Sequence, residues 1–305
     1  MSADISEMTA RPVTARGELR GLLEVVLAMV FAGSSVVVGK LLSVRIPVFL
    51  SLELSLCAAL VAILPAQLAR RHEFRLLGVR DLFYMFLQAL FGIVLFRVFT
   101  LYGLHFTSAL SAGAITSAAP AVMAVIAAVV LREKLGHGST IGVGLTVAGL
   151  IFMNLWGRSP AEGPGSLAGN LLVLAATVCE ALLTVFRKGS GGRTGSITNT
   201  TVLVAMSGVM MLPFAFLDLR GFPLTKIDAV GWISVIYYGA VATVIAYILW
   251  GHGTLRIPAY RTGIATAALP VSAVVLSALV LGEPLVPRYL AGCAAVIAGI
   301  IMGNL

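Results

Sequence analysis

From about residue 20 to its end, the chain alternates between long apolar runs and short polar breaks. Ten runs can be marked, at about 20–40, 46–69, 81–103, 107–131, 137–156, 167–187, 196–217, 229–250, 259–281 and 287–304. Each has roughly the 18–25 residues a helix needs to cross about 30 Å of hydrocarbon. Unpaired backbone groups are too costly there for other open forms, and the alternating ten-residue pattern of a barrel is absent. The pattern predicts an all-α integral membrane protein of ten transmembrane helices. Residues 1–18 are polar and mixed, and read as a disordered cytoplasmic tail. The first run, preceded by Arg11, Arg16 and Arg20 and containing VFA, has the outline of a signal peptide. Its ending, VVVGK, is matched by VFRKG in the sixth run, which marks it instead as part of a repeat.

Composition agrees with a bilayer as solvent. Apolar residues make up 59% of the chain and charged residues 11%, with mean hydropathy +1.01. Soluble domains are nearer 45–50% apolar and about 25% charged. The net charge of +8 raises nucleic acid as a partner, but no nucleic-acid motif is present and the basic residues sit between the runs. Of the 21 Lys and Arg, 14 fall on the N-terminal side of the alternating topology and 6 on the other; Arg97 lies within a run. The positive-inside rule then puts both termini in the cytoplasm, as an even number of spans requires. Cys57, Cys179 and Cys293 each lie inside an apolar run and read as small fillers, and no metal-ligand spacing is present.

The chain says nearly the same thing twice. Aligned without gaps, 108–154 and 258–304 share 16 identities in 47 positions, among them Gly113/Gly263, Pro120/Pro270 and Glu133/Glu283. Five spans per half is odd, so the second half enters the membrane upside down. The charges follow: REK at 132–134 becomes GEP at 282–284. The expected organisation is a first five-helix repeat at 19–156, an extracytoplasmic linker at 157–166, and a second, inverted repeat at 167–305. Inverted repeats are a construction plan of secondary transporters, with the site where the repeats meet.

The stretch LYGLHFTSALSAGAITSAAPAVMAVIAAVVLREKL (101–135) resembles the hallmark segment of the EamA type of the drug/metabolite transporter superfamily, and LGEPL (281–285) resembles its second copy. The resemblance spans about 20–305. It implies a five-plus-five inverted-repeat fold around a central cavity. It also implies a function similar to bacterial exporters of amino acids, including aromatic ones, and of other metabolites. Lys40 matches a position where the family often has lysine. A tryptophan common in its first helix has no match here, where the chain reads Phe31-Ala32-Gly33-Ser34.

Small residues recur four apart at Ala109, Gly113, Ser117 and Ala121, which suits close helix packing; backbone exposed to a ligand near Thr116 and Ser117 is the alternative. Pro120 and Pro270 fall mid-run, where each removes a backbone bond and kinks the helix, and they are candidate hinges. At 100° per residue, Tyr84, Gln88, Phe91, Leu95 and Tyr102 fall on one line. At a shift of 150 the eighth run repeats it with Ser234, Tyr238, Val241, Ile245 and His252. Such mixed faces suit a ligand pocket. Tyr84, Tyr102 and His252 equally suit the membrane interface.

Charges within the runs are costly, about 2.5–3.5 kcal/mol on insertion scales. Glu180, near mid-run, is a candidate proton-coupling carboxyl or counter-charge for an ammonium, with a protonated or paired structural group as the alternative. Arg97 and Glu53 lie at similar depth and are expected to pair; binding a ligand carboxylate is the alternative for Arg97. Lys40 is expected to snorkel to the interface, Glu24 to be solvated, and Glu133 and Glu283 to favour the N-termini of the helices that follow them. No hydrolase, metalloprotease or nucleotide-binding motif appears, and no cofactor or metal is expected. The reading is an inner-membrane exporter of small amphipathic metabolites, amino acids first, with the proton as candidate coupling ion and no enzymatic activity. The alternatives are a carrier of drugs, amines or phosphorylated metabolites, and a membrane enzyme or assembly subunit.

Overall fold

A computed structural model describes residues 15–116, 118, 119, 122, 125, 126, 137–155, 166–189, 195–254, 256, 257, 265, 268–285 and 287–303. Among these there is helix and no strand. The first half holds α1 (Ala15–Ser43), α2 (Val48–Leu68), α3 (Val79–Phe106), α4 (Ala109–Thr116) and α5 (His137–Leu155). The second holds α6 (Ser166–Gly189), α7 (Ser196–Gly221), α8 (Ala229–Gly253), α9 (Ala268–Leu281) and α10 (Pro287–Gly303). Every predicted run thus contains helix. Among the described residues six helices are long and apolar enough to cross a membrane: α1, α2 and α3, and their counterparts α6, α7 and α8. Their outer faces carry bare aliphatic and aromatic side chains, such as Val61 at 73%, Val209 at 74% and Phe216 at 58% exposure. Apolar surface on this scale needs lipid against it. The chain is a multi-pass membrane protein.

The packing has two-fold character. α1 packs on α8 and α9, while α6, its counterpart, packs on α3 and α4. α2 lies on α7, α4 on α9 and α5 on α10, so these helices each meet their own copy. The α2–α7 pair is antiparallel: Leu50 near the start of α2 meets Asp218 near the end of α7, and Gln67 at the end of α2 meets Thr201. The α4–α9 pair is antiparallel too. Gly113 lies against Ala273, and the start of α4 meets the residue two beyond the end of α9. Gly113 of α4 therefore serves close packing, as its spacing predicts, while Ser117 and Ala121 of that series lie outside the described residues.

Acids at the end of one copy cap the other. Glu283 accepts from Ala109 N at 3.0 Å and Leu110 N at 2.9 Å, at the first turn of α4. This corrects the expected role, because the helix it serves is α4 of the other repeat and not α10, which follows it. Asp218 of α7 accepts from Leu50 N of α2 at 3.0 Å. In return Glu73, just beyond α2, accepts from Gly195 N at 2.9 Å and Thr198 Oγ1 at 2.7 Å at the start of α7. The Thr198 hydroxyl foremost, with the Gly195 N–H and the Arg70 charge, holds the Glu73 carboxyl below its ordinary value. Each orphan N–H so satisfied is worth about 1 kcal/mol. Glu24 departs from expectation as well: it is buried rather than solvated, pairing with Arg20 at 3.1 Å and with Arg256 beyond α8.

α3 and α8 share an irregularity. Each changes from α- to π-helix in its middle, over Leu90–Leu95 and Tyr237–Ile245, and a shift of 150 lays the first stretch inside the second. In α8 the Thr243 hydroxyl donates to Tyr238 O, five residues back, at 2.7 Å. Gly239 sits in this stretch because α8 runs against α2 so closely that a Cβ there would overlap the carbonyl of Ser55.

Candidate functional site

At the meeting of α2, α3 and α8 lies a buried guanidinium. Arg97 of α3 is 5% exposed. Its Nη1 donates to Ser55 Oγ of α2 at 3.3 Å and its Nη2 to Thr243 Oγ1 of α8. Cζ stands 4.6 Å from the centroid of the Tyr238 ring, within cation–π range. Both hydroxyls spend their own protons on backbone carbonyls: Ser55 on Leu52 O at 2.8 Å, Thr243 on Tyr238 O. They can therefore only accept from Arg97, and they bring it no charge. Next to this group, Ser34 of α1 and Tyr237 of α8 share a hydrogen bond of 2.8 Å. Glu180 of α6 acts electrostatically on Tyr238, and makes no ion pair to a described residue.

The expected Arg97–Glu53 pair does not form. Similar depth on neighbouring helices does not fix the facing direction. Arg97 turns toward α8, while Glu53 stays on the other face of α2, with Cys57 Sγ at 3.8 Å and one carboxyl oxygen without a partner.

The single-line stripes are also corrected. A π-turn adds a residue to the turn, which rotates everything beyond it by about 100°. In α3, Gln88 before the π stretch is fully buried, whereas Tyr102 beyond it is 37% exposed and stacks edge-on with Phe49 at 6.0 Å. In α8, Ser234 is buried and so is Tyr238, while Ile245 and His252 face outward. Tyr84 is half-buried under Arg80, 5.7 Å from its ring. Gln88 donates to Tyr84 O at 3.2 Å and leaves its own side-chain oxygen buried without a partner.

Lys40 does not snorkel. It turns inward at the end of α1, and its ammonium donates to the carbonyls of Leu104 and, at 2.7 Å, Thr107. A cation there meets the negative end of the α3 dipole. Glu283 acts on it electrostatically, and Thr107 and Ser111 both donate to Asn170 Oδ1 of α6, at 2.6 and 2.9 Å. This knot joins α1, α3, α4, α6 and α9 at one end of the bundle. Thr116 is buried, its hydroxyl bonded to Ala112 O and Gly113 O of its own helix. Pro270 is buried in the first described turn of α9. Ser117 and Pro120 lie outside the described residues.

Sequence reasoning missed Ser55, Thr243 and Asn170. Ser51 and Ser55, four apart in a mostly apolar run, were a legible sign of a polar face on α2. Thr243 carried no such sign, since its partner lies five residues back.

The comparisons bear on the whole length. The model of the EamA-like transporter family matches twice, at residues 19–155 and 167–305. The uncharacterized transporter YetK of Bacillus subtilis (strain 168) is 35% identical over 291 residues, covering 95% of this chain and 88% of its own. The protein named "Probable amino-acid metabolite efflux pump" of Salmonella typhimurium is 27% identical over 185 residues, 57% of this chain and 60% of its own. A solved crystal structure superposes with TM-score 0.61 at 19% identity, covering 94% of this chain and 96% of that one, a likeness of fold. With both halves matched and a relative so similar over nearly its full length, the chain belongs to the EamA-like transporter family.

Proposed function

We propose that the chain is a secondary transporter of the bacterial inner membrane that exports small amphipathic metabolites, amino acids first among them. Its ten helices form two inverted five-helix repeats with both termini cytoplasmic. One observation carries the reading: the two halves pack on each other, with α2 antiparallel to its copy α7, and a buried polar centre, Arg97 and Tyr238, lies where α3 of one half meets α8 of the other. A site between such halves can open to either side in turn as one half rocks against the other. The printed name of the Salmonella relative supports amino acids as the substrate class.

The centre holds one guanidinium, one ring and a few hydroxyls. That suits a ligand with a small charged head and an apolar body. A phosphorylated metabolite would call for several basic groups. An amine is the second reading, favoured by Glu180, whose carboxylate has no described partner. Glu180 is also the candidate for proton coupling, and Pro120 and Pro270 are the candidate hinges.

The test is counterflow into liposomes that hold only the purified protein, with labelled amino acids and amines, with and without a pH gradient. Amino-acid uptake above empty liposomes is the expected result. Uptake of amines alone selects the second reading, and no uptake of either class overturns transport of these substrates.

A further inference from the structure

We propose that Arg97 is a carboxylate-binding subsite, the point at which the ligand's negative end is held. The inference deepens the transport reading by naming the ligand's recognised group. A guanidinium has five N–H donors, and among the described residues Arg97 uses two, both on neutral hydroxyls. Among the described residues no carboxylate lies within 4 Å of it. A buried charge without a counter-charge is costly, and it persists where something else supplies the opposite charge.

The geometry points to a planar anion. Ser55 and Thr243 hold the guanidinium from two helices, so its remaining N–H groups keep a fixed direction. Two parallel N–H bonds to one carboxylate are the strongest arrangement a guanidinium makes. The Tyr238 ring against one face leaves recognition to the guanidinium's edge. Lys40, another inward cation, is occupied by two carbonyls and feels the charge of Glu283. The subsite is single, because its repeat counterpart is not built. A shift of 150 exchanges Arg97 for Tyr247, Ser55 for Ala205, and Thr243 for Ile93, which is buried among apolar side chains.

Binding separates this claim from transport. The probes are L-leucine and L-phenylalanine against leucinamide and phenylalaninamide, which keep the ammonium and the apolar body and lack the carboxylate. Thermal stabilisation of the full chain in detergent gives a Kd for each. The acids should bind at least about tenfold more tightly than the amides, the value of one charge-assisted contact. Arg97→Gln should raise the acids' Kd to that of the amides and leave the amides unchanged. It should unfold no earlier than the parent without ligand, since it removes an uncompensated charge. Arg97→Lys should keep part of the preference. Should Arg97→Gln fail to fold, Thr243→Val, which frees the guanidinium without removing its charge, should still cut the acids' advantage severalfold. Equal binding of acids and amides by the parent, no acid binding, or an acid preference that survives in Arg97→Gln or Thr243→Val overturns the subsite. Amine transport with no acid binding would sink the subsite while leaving transport standing.

Discussion

α3 and α8 are copies of one helix, with the π-turn at the same place in both, yet their surroundings differ. Around Arg97 stand Ser55, Thr243 and the Tyr238 ring. A shift of 150 gives Tyr247, Ala205, Ile93 and Gln88. The irregular backbone was kept in both copies, whereas the charge stands in one. The difference teaches that the repeat supplies a two-fold frame, and that the side chains around Arg97 break that frame chemically. Backbone shape follows from helix contacts that both halves share. In the proposed subsite, the single guanidinium answers a ligand that meets the halves unequally.

The comparison can be broken at several depths. The largest effect should come from glycines in the two π-turns. Gly239→Ala drives a methyl into the backbone carbonyl of Ser55, which cannot move aside, and should cost about 3 kcal/mol. Gly92→Ala meets the Leu183 side chain as far in as its Cβ, which can yield by a small shift of α6, and should cost less, about 1–2 kcal/mol. Thermal midpoints of the two variants give the ordering, and equal losses would contradict the close approach of α8 to α2.

Next is the cap that joins the copies. Glu283→Ala leaves two N–H groups of α4 without an acceptor and should cost about 1–2 kcal/mol, read from the thermal midpoint. A loss confined to fraying of α10, seen by hydrogen exchange, would return Glu283 to the helix that follows it.

A matched pair at counterpart positions separates chemistry from packing. Thr243→Val should weaken acid binding severalfold, while Ile93→Val should cost about 1 kcal/mol of stability and leave binding unchanged. The reverse outcome would move the ligand to the apolar side.

The smallest effect concerns pH. Glu73 is held below its ordinary value, so it stabilises the fold at neutral pH. That contribution is complete above its unfolded pKa of about 4.3 and fades as pH falls through its lower folded value. Glu73→Gln should flatten the stability curve below about pH 4.3 and change its slope little at pH 7. An unchanged acid slope would remove Glu73 from the α7 cap.

Much of the fold was legible because a bilayer leaves few choices: apolar length sets the helix, and the 150-residue repeat sets which helices are counterparts. The site was less so. Tyr238, Gln88 and Ser234 were placed inside by their period, but that period assumes 3.6 residues per turn throughout. The π-turns carried Tyr102 and His252 out of the line. Arg97 was recognised as costly and given the wrong partner, since depth along a helix is readable and rotation past an irregular turn is not. Lys40 and Glu283 turned to backbone groups of distant helices, which no spacing announces.

The central claim is that two homologous units cross the membrane in opposite directions. Single cysteines at Lys134 and at its counterpart Pro284, in a chain whose Cys57, Cys179 and Cys293 are replaced by alanine, test it in intact cells with a membrane-impermeant thiol reagent. Pro284→Cys should react from outside, and Lys134→Cys only after the cells are opened. Reaction of both from the same face would contradict the inverted repeat and the site built upon it.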